Sequence, residues 1–147
     1  MSNHTYRVAL IGVTGYAAIH LRALLTSQIQ QRFTLKAAVI VNPSEAREAS
    51  ITLQKNGTAI YSTVDDMWAD QSGQIDLTII PTGIAWHSTM TCQALRAGSN
   101  VLVEKPAAAT LEEVDAMMAA EAQSGKLVAV GFQDIYQPSV QWAKQAL

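Results

Sequence analysis

Two short stretches of the sequence place residue types where they could do chemistry. In "NVLVEKPAA" the apolar run 100–103 leads straight into Glu104-Lys105-Pro106. Two opposite charges directly after a buried strand need a reason. One reading makes them strand-end charges facing water, with Pro106 ending the ladder. The other puts Lys105 into a crevice beside a nicotinamide. There its ammonium hydrogen-bonds a substrate hydroxyl or carbonyl and polarises it as hydride moves. Glu104 then orients or tunes the lysine. The second stretch is "VALIGVTGYAAIH" (8–20), a near match to the G-x-G-x-x-G loop, with Thr14 in place of the second glycine and Ala17 in place of the third. Gly12 permits the tight turn and Gly15 keeps backbone accessible. The N–H groups around Tyr16 and Ala17 point at a pyrophosphate, aided by the helix dipole. Thr14 gives up some closeness of approach but offers a hydroxyl donor. Without a nucleotide, the same residues are a tight strand-to-helix turn.

These stretches need elements to hold them. Apolar runs at 6–12, 33–41, 59–62, 75–80, 100–104 and 126–132 predict six strands. Helices are predicted between them. The first spans Tyr16 to Thr26, with Ile19, Leu24 and Leu25 on one face. Asn42-Pro43-Ser44-Glu45 opens the second, Asn42 serving as N-cap. Others run from Val64 to Ala69 and from Ala85 to Ala97, the latter ended by Gly98. Thr110 and Glu113 form a capping box for a helix to Ser124, with Leu111, Val114, Met117 and Met118 facing inward. A last helix follows Pro138. This alternation, with short connections, predicts an α/β doubly wound parallel sheet, a three-layer Rossmann-type domain over 1–147. Its ligand crevice lies beyond the carboxyl ends of the strands, where both motifs fall.

A dinucleotide site of the NAD type usually carries an acid about 20 residues past the glycine loop. Here "AVIVNPSEAR" has Asn42 and no acid. Asn42 either hydrogen-bonds a ribose or acts only as a cap. With no carboxylate to repel a 2′-phosphate, and with Arg47 one turn further on, NADP is slightly favoured over NAD. Composition narrows the classes further. The formal net charge is −2 with no long basic run, so no footprint for nucleic acid exists. The one cysteine, Cys92, excludes a disulfide framework and a cysteine metal cluster, and suits a reduced, cytoplasmic setting. No apolar run approaches membrane-spanning length.

Taken together, "GVTGYAAIH", "IDLTIIPTGIAWHSTMTCQALRAGSNVLVEKP" and "GKLVAVGFQ" resemble the N-terminal half of the Gfo/Idh/MocA oxidoreductases over about residues 6 to 140. The resemblance implies an NAD(P)-dependent oxidation or reduction of a sugar, cyclitol or related hydroxyl compound. It implies that Lys105 is the active-site lysine and that Gly12, Thr14, Gly15, Tyr16 and Ala17 bind pyrophosphate. Thr82, Trp86 and His87 would line the cofactor cleft, Glu104 would sit by the nicotinamide end, and the Lys105–Pro106 bond is expected to be cis. Departures are Thr14 for glycine, Gly83 for a common proline, the missing acid after the second strand, and Asp134-Ile135 where basic residues are frequent. Family members continue into a second, mostly antiparallel substrate domain that supplies much of the dimer contact. This sequence ends at Leu147, so an excised cofactor domain, or a partner domain from elsewhere, is expected, and a homo-oligomer stays open to a full-length parent.

The remaining residues read more plainly. His87 stands evenly between stacking near the nicotinamide and simple packing. His20 reads as structural and Cys92 as a buried inert thiol. Trp68 and Trp142 read as packing or interface aromatics, and Asp65 and Asp66 as charges at a helix start. A non-catalytic nucleotide-binding sensor on the same fold is the second function class. The Glu104-Lys105-Pro106 element argues for the enzyme.

Overall fold

Successive residues of the first strand alternate between two cores. Val8 and Leu10 join one apolar cluster, Ala9 and Ile11 the other, and all four are fully buried. A strand covered on both faces belongs in the middle of a parallel sheet. The computed structural model, which describes residues 4–26, 29 and 31–146, has that arrangement. Six strands, β1 (Tyr6–Ile11), β2 (Phe33–Val39), β3 (Ala59–Tyr61), β4 (Leu77–Ile80), β5 (Asn100–Val103) and β6 (Val128–Val130), form one sheet in the order β3-β2-β1-β4-β5-β6. Every pairing is parallel. This is the doubly wound order, whose direction reverses between β1 and β4 and leaves a crevice there.

Helices α1 (Ala17–Leu24) and α2 (Arg47–Lys55) cover one face, through Leu21, Leu24 and Leu53. Helices α3 (Val64–Gln71), α4 (His87–Arg96) and α5 (Leu111–Ser124) cover the other, through Met67, Leu95, Met117 and Ala120. Helix α6 (Pro138–Ala146) buries none of its residues. The capping box of Thr110 and Glu113 forms as expected, and Gly98 sits at φ +85° just after α4. Cys92 is buried, its thiol toward the carbonyl of Ala116.

Several local expectations are corrected. Asn42 makes no side-chain cap bond; Pro43–Glu45 form a separate 3₁₀ turn, and α2 begins only at Arg47, after the buried Ala46. In α1 the inward stripe is Ala17, Leu21 and Leu24, spaced by four and three, and it leaves Ile19 exposed. In α5 Leu111 and Met118 are 79% and 62% exposed, because the helix packs against α4 and turns Met117 and Ala120 inward. The strand expected over 75–80 starts at Leu77, since Asp76 is taken up by an ion pair.

That pair ties the amino ends of β1 and β4. Asp76 accepts the Arg7 side chain at 2.8 and 3.0 Å and the Arg7 backbone N–H at 2.7 Å. These bonds hold the Asp76 carboxyl down to about 2, against an ordinary 3.8. With a folded value below the unfolded one, the stabilisation is present above the ordinary value and lost as pH falls toward the folded one. Because Arg7 is 44% exposed, solvent screening discounts the effect. Asp76→Asn is expected to cost about 1 kcal/mol at neutral pH. In urea unfolding, the gap to the unaltered chain should close as pH drops below about 4.

Candidate active site

The carboxyl ends of β1, β4, β5 and β6 bring the two motifs together. After β1, Gly12 turns at φ +92°, with its N–H on the Val39 carbonyl (2.9 Å), and Gly15 turns at φ +57°. A Cβ on Gly12 would meet the Ala17 Cβ at 3.7 Å and Thr82 Cγ2 at 3.8 Å, whereas one on Gly15 would meet nothing. The turn is thus filled behind and open in front. Helix α1 starts without a side-chain cap, because its N-cap residue is Tyr16. Among the described residues, the N–H groups of Thr14, Gly15 and Tyr16 find no acceptor. Uncapped amides at the positive end of a helix dipole are what a phosphate requires, so these residues fit a dinucleotide's pyrophosphate.

Beyond β4, the ring of His87 is 1% exposed, with Nδ1 2.9 Å from the Pro106 carbonyl and Nε2 3.0 Å from that of Thr82. Both ring nitrogens face backbone, so of the two readings of His87 the packing one fits. It holds the loop after β4 against the turn after β5. Trp86, on the 3₁₀ turn before it, is 59% exposed, and Thr82 is half-buried. Asn42 and Arg47 are both exposed beyond β2.

Beyond β5 the chain places an acid in the interior. Glu104 is 8% exposed; its Oε1 accepts from His20 Nε2 at 2.9 Å and its Oε2 accepts the Lys105 backbone N–H at 3.3 Å. Lys105 itself is exposed and, among the described residues, makes no side-chain hydrogen bond or ion pair. The Lys105–Pro106 bond is cis. The carboxylate rests on Gly131, where a Cβ would come within 2.9 Å of Oε1. The Tyr16 ring meets His20 edge-on at 5.8 Å, and Gln133 reaches the Tyr16 hydroxyl at 3.5 Å. The sequence sets His20 down as structural and does not single out Gly131; the structure brings both to Glu104. The clues lay in the helical spacing from Ala17 to His20, and in the pairing of Val103 with Val130, which sets Gly131 beside Glu104.

The family model described as an oxidoreductase family with an NAD-binding Rossmann fold matches residues 6–132. The chain belongs to the Gfo/Idh/MocA family. Among curated relatives it is 28% identical over 144 residues to inositol 2-dehydrogenase 2 of Saccharopolyspora erythraea, covering 97% of this chain and 41% of that protein. It is 33% identical over 129 residues to the dTDP-3,4-didehydro-2,6-dideoxy-alpha-D-glucose 3-reductase of Streptomyces violaceoruber, covering 87% and 36%. The WlbA dehydrogenase of Chromobacterium violaceum, solved with NADH and UDP-GlcNAcA, superposes with TM-score 0.87 at 25% identity, over 99% of this chain and 40% of that one. The chain therefore spans about two fifths of the length of these relatives. Among the described residues, no helix is long and apolar enough to cross a membrane.

Proposed function

We propose that this Gfo/Idh/MocA chain is the cofactor-binding domain of an oxidoreductase that moves hydride between a nicotinamide dinucleotide and a CH–OH group of a cyclitol, sugar or related compound. One observation carries the reading. The His20–Glu104 contact sets the uncapped start of α1 beside an exposed lysine that has no partner of its own. Thr14–Ala17 would hold the pyrophosphate of the dinucleotide, and the end of β5 would face its nicotinamide, on the two sides of the reversal point. Bound there, the dinucleotide supplies the hydride acceptor or donor. Lys105 donates a hydrogen bond to the substrate oxygen and takes or returns its proton as carbonyl and alcohol interconvert. His87 holds the Lys105–Pro106 turn, Trp86 screens the cleft, and Glu104 fixes the lysine backbone. A sensor reading leaves an unpartnered lysine at the strand end without a task.

The adenosine end favours no exclusion of NADP. Asn42 has no cap bond to break, and Arg47 stands exposed one turn on. The chain is expected to bind NADPH at least as tightly as NADH in fluorescence titrations. Asn42→Asp places a carboxylate at the ribose and should weaken NADPH about tenfold while sparing NADH. An unaltered chain that prefers NADH tenfold would overturn the NADP reading. Binding of neither at millimolar concentration would overturn the cofactor reading itself.

A further inference from the structure

Three elements meet at the Glu104 carboxylate. His20 comes from α1, Glu104 and Lys105 follow β5, and Gly131 follows β6. An ionised carboxylate accepts hydrogen bonds only, and burying one is costly unless its oxygens find donors. Here one oxygen takes the His20 Nε2–H and the other the Lys105 N–H. The third wall is backbone: with a Cβ on Gly131, contacts of 2.9, 3.0 and 3.1 Å would force the carboxylate to move. His20 itself is held by its place on α1, one turn beyond the pyrophosphate loop, and by the edge of Tyr16.

We infer that His20 is a positioning residue for Lys105, acting through Glu104, with Gly131 providing the space that lets the carboxylate sit between them. The inference rests on the dinucleotide reading above. The helix that receives the pyrophosphate and the turn that carries the lysine are joined by this one charge-assisted bond. Ordering of α1 by a bound cofactor therefore also orders the backbone of Lys105. The clamp lies on the β5–β6 side of the reversal point, the nicotinamide half of the crevice. Its loss should be felt by the nicotinamide half of a ligand and not by the adenosine half.

The test uses His20→Phe, which keeps a ring and removes the donor; His20→Gln, which restores an N–H donor; and Gly131→Ala, which displaces the carboxylate without touching α1. Two measurements are made on each. The Lys105 amide proton, read by 1H–15N correlation, should move upfield in His20→Phe and Gly131→Ala as its carboxylate bond loosens, and return in His20→Gln. Affinity for NADH should fall about tenfold in the same two variants, because the displaced Glu104 carboxylate is itself at the nicotinamide end, while that for ADP-ribose changes less than about twofold. An unmoved Lys105 amide overturns the inference. Equal weakening of NADH and ADP-ribose also overturns it, since it would mark general damage to α1. If the unaltered chain binds neither ligand, the dinucleotide reading falls, while the amide measurement still reports whether the clamp exists. Should His20→Phe fail to fold, Gly131→Ala alone decides.

Discussion

Thr14→Glu is expected to abolish dinucleotide binding, the largest single loss open to this loop. Thr14 is half-buried, and every residue in the described chain with positive φ is a glycine, so glutamate meets no backbone strain at this position. Its carboxylate would lie beside the free amides of Gly15 and Tyr16, where the structure leaves room for phosphate. Like charges a few ångströms apart near a protein surface repel by several kcal/mol, so affinity for NADH should fall at least about a hundredfold. The new carboxylate would also bond those amides itself, occupying the site from within. Thermal unfolding should change little. Asp76→Asn, at the opposite end of the sheet, gives the reverse pattern, with stability lowered and affinity kept. NADH binding that survives Thr14→Glu would place the cofactor somewhere other than the α1 terminus.

The second large effect belongs to Lys105. Measured on a form of the protein that turns substrate over, Lys105→Met should lower kcat/KM by about two to four orders of magnitude, the usual worth of a positioned proton donor. NADH affinity should change less than about threefold, because the lysine acts on substrate oxygen in the transition state. Lys105→Arg should not rescue, since the guanidinium keeps its charge but cannot hand over a proton. The contrast with Thr14→Glu separates a binding residue from a reacting one. Loss of NADH binding in Lys105→Met with turnover otherwise intact would reverse the assignment.

The strands were legible because parallel strands covered on both faces need continuous apolar runs, and all six runs contain the observed strands. Their ends were less so: Ile40 and Val41 extend the run past β2, yet Ile40 already bonds the Tyr61 carbonyl outside the strand and Val41 is exposed. Helix faces were legible only in part: in α1 Leu24 faces inward as expected but Ile19 is turned out, because the buried stripe runs through Ala17 and Leu21. In α5 Met117 is buried as expected, whereas Leu111 lies out in solvent at the start of the helix and Met118 only lines an open groove with Val128 and Val130 of the edge strand β6. The glycine loop and the Glu104-Lys105-Pro106 turn were readable because each is a local pattern with a local cause. His20 was not, because its partner lies 84 residues away and only the winding of the sheet brings them together. Asn42 misled for a related reason: Asn-Pro-Ser-Glu is a good helix start by composition, but the chain first makes a 3₁₀ turn so that Ala46 can be buried.

In the function proposed above, a nicotinamide dinucleotide lies across the carboxyl edge of the sheet, from the α1 terminus to Lys105. A 1H–15N correlation spectrum of the chain titrated with NADH tests it most directly, because each backbone amide reports a change in its own surroundings. Saturable shifts are expected at Gly12 to Ala17, near Asn42, and at Glu104 and Lys105, with Arg7 and Asp76 at the opposite edge unmoved. Shifts confined to the amino edge of the sheet, or none at millimolar NADH, would contradict it.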